Sequence, residues 1–176
     1  MIEKLQPHKP KYTAFVATSV DGRISLTEKT LPDWNSQEDR QFLHQSLSHM
    51  DAVVVGRKTY EAAAKHLRKR ITYVFSSRPT TLCHRESVTF VNPVRVDLEK
   101  LFQDHKNVAV LGGGMAYRFM LENHLLDELF VTVEPLIFGR GTPMFTGGTK
   151  TTRLDLLSSR PLNSSGTLLL HYRINH

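Results

Sequence analysis

The feature that most restricts the fold of this chain is the alternation of short apolar runs with segments of helical periodicity. Residues 12–19 are rich in β-branched and aromatic side chains, and residues 51–56 and 108–111 are almost wholly apolar, as buried strands are. Between these runs apolar residues recur at helical spacing, for example at Phe42 and Leu47. This alternation predicts a mostly parallel central sheet with helices on both faces.

The remaining segments predict a single domain of this α/β class. No helix is expected after about His124, so antiparallel strands should join one edge of the sheet. Pro135 interrupts one long strand, which predicts an edge or bulged position there. We expect a flexible lead-in over residues 1–11 and one domain over 12–176. Further strands are expected at 71–76, 88–91, 128–138, 153–158 and 167–174, and helices beginning at Ser36, Lys58, Asp97 and Tyr117.

The amino-acid composition excludes several classes of protein. With 40% hydrophobic and 23% charged residues, the 176-residue chain is an ordinary globular sequence rather than a disordered or collagen-like one. Its single cysteine, Cys83, excludes a disulfide within the chain and a multi-cysteine metal site, and it fits a reducing cytosol. Apolar runs such as residues 52–55 are too short to cross a bilayer. Residues 1–11 lack the apolar centre of a secretory signal, so we expect a cytoplasmic protein with no membrane partner.

The net charge of +6 suggests an anionic partner. Nucleic acid is one candidate, and a phosphorylated small molecule is the other. The basic residues are scattered, and the densest cluster, at residues 65–70, contains no aromatic residues. We therefore expect no nucleic-acid partner and favour a polyanionic small molecule.

Glycine follows the buried strand at 108–111 and precedes a helix. Three consecutive glycines, Gly112, Gly113 and Gly114, are followed by Met115 and Ala116. Glycine allows close approach of the backbone to a ligand, and a helix N-terminus offers unpaired N–H groups with partial positive charge. The segment predicts a diphosphate site, although it lacks the spacing of the dinucleotide fingerprint.

Two other strands end in residues that suit anions. The strand at 51–56 ends in Gly56, followed by Arg57, Lys58 and Thr59. Cations in the first turn of a helix oppose the helix dipole, and a bound phosphate would compensate for them. The third strand, at 71–76, ends in Ser76, Ser77 and Arg78, two hydroxyls and a guanidinium able to bind phosphate. The carboxyl ends of parallel strands meet at one edge of a sheet, so these two segments and the glycines at 112–114 should lie together.

A second group of candidates lies near the first helix. Asp39 could orient a heterocycle or help deliver a proton, although it could also serve only as part of the helix cap. Trp34 could stack on a planar ligand or belong to the core. The nine histidines show no metal-ligand spacing, so we expect no metal site.

These motifs, in this order, resemble the dihydrofolate reductase superfamily, and more closely the reductase domain of riboflavin biosynthesis. The resemblance spans about residues 12 to 174. It is carried by residues 17–24 (ATSVDGRI), 36–40 (SQEDR), Phe42, His44, 51–60 (DAVVVGRKTY), 111–114 (LGGG), 127–129 (DEL) and 134–145 (EPLIFGRGTPMF).

The resemblance implies a three-layer αβα sandwich that binds NADPH and transfers hydride to a small heterocyclic substrate. By position, residues 56–59 would meet the phosphates on the adenosine side, and residues 76–78 the ribose and its 2′-phosphate. Residues 112–116 would hold the diphosphate. Ala17 and Ser19 would border the nicotinamide, with Asp39 orienting the substrate and Trp34 covering it. The resemblance also implies a homodimer.

Two departures from the family leave the substrate open. Riboflavin reductases usually carry Asp-Asp-Pro-x-Leu-Thr after the second strand, whereas residues 56–61 here read GRKTYE, which looks more like a folate reductase. Folate reductases carry an acidic residue early in the first helix, a position that Asp39 could fill. A ribosylaminopyrimidine phosphate is the first alternative and a pterin the second. A third is a non-catalytic module that only binds NADPH.

Overall fold

The computed structural model of the protein describes residues 9–26, 33–78, 82–145, 147 and 151–176. The described part contains four helices: α1 (Gln37–Leu47), α2 (Arg57–Leu67), α3 (Leu98–Phe102) and α4 (Gly114–Glu122). Its strands are β1 (Lys11–Ser19), β2 (Arg23–Ser25), β3 (Ala52–Gly56), β4 (Thr72–Phe75), β5 (Leu82–Arg85), β6 (Val88–Val91), β7 (Asn107–Val110), β8 (Glu128–Glu134), β9 (Thr142–Pro143), β10 (Arg153–Pro161) and β11 (Leu168–Asn175).

Nine of these strands form one sheet in the order β10-β11-β8-β1-β7-β3-β4-β6-β5. The six strands from β8 to β6 in this order are parallel to one another. Strands β11 and β10 continue the sheet in antiparallel fashion at one edge, and β5 does so at the other. The carboxyl ends of all six parallel strands therefore lie along one rim.

Helices cover both faces of the sheet, which gives the expected three-layer αβα sandwich. Alternate residues of a strand point to opposite faces, so Val53 of β3 packs in the layer with α1 and α2, and Val54 in the layer with α3 and α4. Phe42 of α1 contacts the first of these cores, and Phe102 and Met120 belong to the second. The apolar runs of the sequence are thus the buried centre of the sheet.

The structure corrects several predicted boundaries. The strand at 128–138 ends at Glu134, so Pro135 lies outside it, and β8 is an interior strand rather than an edge or bulged one. Helix α4 begins at Gly114 rather than Tyr117, because Gly113 serves as its N-cap. Lys11, which the sequence assigns to the flexible lead-in, pairs with Asn107 in the sheet.

Three short strands were not predicted. Strand β5 adds an antiparallel strand at the edge where none was expected. Strands β2 and β9 pair with each other across a long sequence separation, within segments expected to be loops. Residues 1–8 of the expected lead-in and residues 27–32 of the expected loop lie outside the described residues.

Candidate functional site

The rim formed by the parallel strands opens into one large cleft of about 1470 Å³. It is lined by the ends of β1, β3, β4 and β7 and by residues of α1, α2 and α4. Most of the residues expected at the site therefore lie together. Those that line the cleft are Ala17, Asp39, Gly56, Arg57, Lys58, Thr59, Ser76, Ser77, Gly112, Gly113, Gly114, Met115 and Ala116.

The glycine ends of β3 and β7 are in direct contact. The N–H of Gly56 donates to the carbonyl oxygen of Gly112 at 2.8 Å. A Cβ on Gly56 would lie 3.5 Å from that oxygen and 3.6 Å from the Cα of Gly113. Gly113 has φ +65°, and a Cβ there would lie 3.2 Å from the hydroxyl oxygen of Thr59. These close approaches make one backbone cradle, residues 56–59 and 112–116, from two separate segments.

Both helices that begin at this cradle lack a side-chain cap. Gly56 is the N-cap of α2 and Gly113 the N-cap of α4, and neither helix has an acidic residue in its first turn. Helices α1 and α3, by contrast, are capped by the side chains of Ser36 and Asp97. The start of a helix carries partial positive charge, and neither α2 nor α4 offsets it with an acidic residue or a side-chain cap, so both helix starts are suited to bind an anion.

The charge lining the cleft is strongly positive. Asp39 is the single Asp or Glu among the described lining residues. Arg57 is paired with Glu61, one turn later on α2, at 2.6 Å. The basic side chains are Arg40, Arg57, Lys58, Lys65, Arg68, Lys69 and Arg70.

The serines after β4 border the cleft beside the end of β6. Ser76 is buried, and its hydroxyl accepts a hydrogen bond from the N–H of Arg78 at 3.3 Å. Asn92, after β6, also lines the cleft, and its side-chain amide donates to the carbonyl of Ser77 at 3.5 Å. Arg78 is exposed and does not belong to the described lining of the cleft.

Asp39 of α1 also lines the cleft. It is buried on α1, and its Oδ2 accepts a hydrogen bond from the side-chain amide of Asn35 at 2.7 Å. Tyr117 of α4 donates its hydroxyl to the carbonyl of Phe15 at 2.6 Å. Burial, together with the charge of Asp39, raises the pKa of Tyr117 far above its usual value, so this phenol stays protonated.

The structure places two other candidates away from the cleft lining. The hydroxyl of Ser19 donates to Asp21 at 2.7 Å and accepts from the N–H of Arg23 at 3.0 Å, which gives it a role in the turn after β1. The ring of Trp34 packs edge-on against Phe138 at a centroid distance of 5.1 Å. Neither residue belongs to the described lining of the cleft, and the roles expected for them beside the nicotinamide and over the substrate stay predictions.

Sequence reasoning missed several polar residues of the cleft. Asn35 precedes the N-cap of α1, and Thr132 lies buried in β8. Arg40 and His44 are one turn apart on α1 and line the same wall. Helical spacing could have indicated Arg40 and His44, which share a face. Thr132 carries no local signal, because it reaches the cleft only through pairing of β8 with β1.

Across the described ranges, no three His, Cys, Asp or Glu side chains are grouped so that they could hold a metal ion. No helix in that same part of the chain combines the length and hydropathy needed to span a bilayer.

The sheet order, the layers and the cleft at the strand ends define a dihydrofolate-reductase-like fold. The family model described as RibD C-terminal domain matches residues 10–168, and the chain belongs to that family.

The chain is also similar to a curated relative and to two solved structures that share its fold. The uncharacterized protein YwjB of Bacillus subtilis is 27% identical over 92% of this chain and 97% of its own length. The Thermotoga maritima diaminohydroxyphosphoribosylaminopyrimidine deaminase/5-amino-6-(5-phosphoribosylamino)uracil reductase has a TM-score of 0.72 at 16% identity, over 95% of this chain and 57% of that chain. Enterococcus faecalis dihydrofolate reductase, complexed with NADP(H) and RAB-propyl, has a TM-score of 0.71 at 18% identity, over 96% of this chain and 99% of that chain.

Proposed function

We propose that this protein is an NADPH-dependent reductase of the riboflavin-biosynthesis type, acting on a ribosylaminopyrimidine phosphate. Membership of the RibD C-terminal domain family supports the reductase class. The Thermotoga maritima neighbour, whose name includes a 5-amino-6-(5-phosphoribosylamino)uracil reductase, supports the choice of substrate.

One observation carries the proposal: α2 and α4 both begin uncapped at the same glycine cradle. Their first turns contain no acidic residue, and Gly56 and Gly112 are joined by a backbone hydrogen bond. Two helix N-termini directed at one place provide N–H donors and partial positive charge for two neighbouring phosphates. A dinucleotide diphosphate suits this arrangement.

The chain's residues fit the other parts of NADPH as well. Ser76, Ser77 and Asn92 line the cleft at the ends of β4 and β6, where hydroxyl and amide groups could bind the adenosine ribose. Arg57 of the cradle and Arg78, just beyond the cleft lining, are the basic side chains that we assign to the 2′-phosphate.

The substrate would occupy the wall formed by α1. When bound, NADPH supplies a hydride, and the protein supplies orientation and electrostatics. Asn35 holds one carboxylate oxygen of Asp39, and no other described residue donates a side-chain hydrogen bond to the second oxygen, which would accept one from an N–H group of the heterocycle. Ala17 of β1 also lines the cleft, and β1 lies beside β7 in the sheet, so we assign the nicotinamide ring to this part of the cleft.

The basic lining supports a substrate that carries its own anionic group. Arg40 of α1 and Arg68, the C-cap of α2, lie outside the glycine cradle and still line the cleft. Guanidinium groups bind phosphate in a bidentate manner, and a ribosyl phosphate would reach towards them from a base held at Asp39.

The direct test is NADPH oxidation followed at 340 nm with 5-amino-6-(5-phosphoribosylamino)uracil as substrate. We expect turnover that depends on both compounds, and much weaker turnover with NADH. If NADPH binds and no reducible aminopyrimidine or pterin is turned over, the protein is a non-catalytic NADPH-binding module and the proposal is wrong.

A second candidate function is that of a pterin reductase, which the position of Arg70 in the cleft favours. This residue follows α2, lines the cleft, and donates to the carbonyl of Leu47 at the end of α1 at 2.6 Å. A guanidinium beside the last residue of α1 could bind the carboxylate tail of a folate. Faster oxidation of NADPH with dihydrofolate than with the aminopyrimidine would favour this candidate.

A further inference from the structure

Glu134 is a buried carboxylate that the proposed chemistry does not use. It is the last residue of β8 and only 3% exposed, and both of its oxygens are hydrogen-bonded. Its Oε1 accepts from the backbone N–H of Ser36 at 2.7 Å, and its Oε2 accepts from the hydroxyl of Thr167 at 2.7 Å. A charge kept this far from water is expensive unless its hydrogen bonds and surroundings are favourable. The nearby N-terminus of α1 is favourable for a negative charge.

Two hydrogen bonds in succession connect Glu134 to Asp39. Glu134 holds the backbone of Ser36, and the Ser36 hydroxyl accepts from the N–H of Asp39 at 3.2 Å. The first turn of α1 is thereby fixed to the end of an interior strand. The position of the Asp39 carboxylate in the cleft depends on where this turn is held.

The turn between β10 and β11 supports the same helix end from another side. The side-chain amide of Asn163 donates to Glu38 at 3.1 Å and to the hydroxyl of Thr167 at 3.0 Å. This hydrogen bond is the main reason that the pKa of Glu38 lies below its usual value. Thr167 itself is 1% exposed, so its hydroxyl is kept from water and directed to Glu134.

We propose that Glu134 is a positioning residue for Asp39, and that Thr167 orients the Glu134 carboxylate. The inference rests on the proposed function, in which Asp39 orients the heterocycle. Glu134 sets the distance between that carboxylate and the bound base without touching substrate. Misplacement of an orienting group by about 1 Å can reduce a rate about a hundredfold.

The sheet order separates this role from cofactor binding. The cradle lies at the carboxyl ends of β3 and β7, whereas Glu134 lies on β8, with β1 between β8 and β7. Loss of Glu134 should therefore weaken binding of the heterocycle and leave NADPH binding unchanged. A role in general stability would affect both ligands alike.

The experiment uses the full chain loaded with NADPH and the probe 5,6-diaminouracil, whose binding is followed by ligand-observed NMR. Four variants are compared: Glu134→Ala, Thr167→Val, Thr167→Ser and Glu128→Gln. Glu128 is the matched control, because it lies on the same face at the other end of β8, paired with Lys11 and His171. Hydrogen exchange at residues 36–39 reports the helix end without any ligand.

We expect Glu134→Ala to weaken probe binding at least about tenfold, with the NADPH dissociation constant within about twofold. Thr167→Val should act in the same direction, Thr167→Ser should restore binding, and Glu128→Gln should behave as wild type. Exchange at residues 36–39 should speed up in Glu134→Ala and Thr167→Val but not at the start of α2.

Unchanged exchange at residues 36–39 in both variants would overturn the inference. So would equal loss of NADPH and probe binding, or failure of Thr167→Ser to rescue binding. Should Glu134→Ala fail to fold, Thr167→Val and Thr167→Ser decide the question. If wild-type protein does not bind the probe while exchange speeds up as expected, the positioning contact stands and the proposed substrate is wrong.

Discussion

Substitution of Gly113 tests the cradle most specifically, because the structure gives its consequences step by step. Gly113 has φ +65° and ψ 127° as the N-cap of α4, a conformation that L side chains rarely adopt. In Gly113→Ala the backbone strain is about 1–3 kcal/mol. The new Cβ would also lie 3.2 Å from the hydroxyl oxygen of Thr59, so that side chain would have to shift by a few tenths of an ångström. In a chain of this length, about 1 kcal/mol shifts Tm by about 2–4 °C.

The same strain acts on the amide groups proposed to bind phosphate. If the peptide turns to relieve it, the first N–H groups of α4 tilt away from the cradle. Loss of one hydrogen bond to a charged group is worth about 1.5–3 kcal/mol, so NADPH affinity should fall about tenfold to a hundredfold.

Gly139→Ala is the matched control for this prediction. Gly139 has φ +68°, and a Cβ there would meet nothing within 4 Å. Both variants should lose Tm by thermal melting, whereas isothermal titration should show weaker NADPH binding for Gly113→Ala alone. Wild-type NADPH affinity in Gly113→Ala, despite a lowered Tm, would refute the cradle as the diphosphate site.

Three further predictions concern charged residues. The double variant Arg57→Ala, Arg78→Ala should weaken NADPH far more than NADH in a binding titration, and equal losses would remove the 2′-phosphate assignment. Asp39→Asn should lower turnover while leaving the NADPH dissociation constant unchanged, and unaltered turnover would leave Asp39 a structural residue of α1. Hydrogen bonds from Phe138, Ser19 and Gly139 hold the pKa of Asp21 at about 2, so its stabilising effect is present above the unfolded pKa and is lost as pH falls from about 4 to about 2. Acid unfolding of Asp21→Asn should therefore be less steep over that range, and an unchanged profile would argue against this role.

The central sheet could be predicted because the local sequence of most of its strands is apolar enough to identify them. Buried strands such as 52–56 have to be apolar on both faces. The spacing of Ser36 and Asp39 predicts the capped first turn of α1. Strands β2, β5 and β9 could not be predicted. They are short, and β2 and β9 become strands only through pairing with each other.

The cradle could be predicted because each half consists of a strand, glycine and a helix start, and parallel strands place such halves at one rim. The substrate wall could not be predicted to the same depth. Asn35 and Thr132 reach the cleft only through tertiary packing, and Trp34 packs against Phe138, a contact between distant segments. NADPH, the homodimer and the cytoplasmic location remain predictions.

The most direct measurement is a titration of the 15N-labelled protein with NADPH, followed through its backbone amide resonances. The account predicts one NADPH per chain, with the largest shifts at residues 56–59 and 112–116. Absence of binding, or shifts confined to residues away from this cradle, would contradict it.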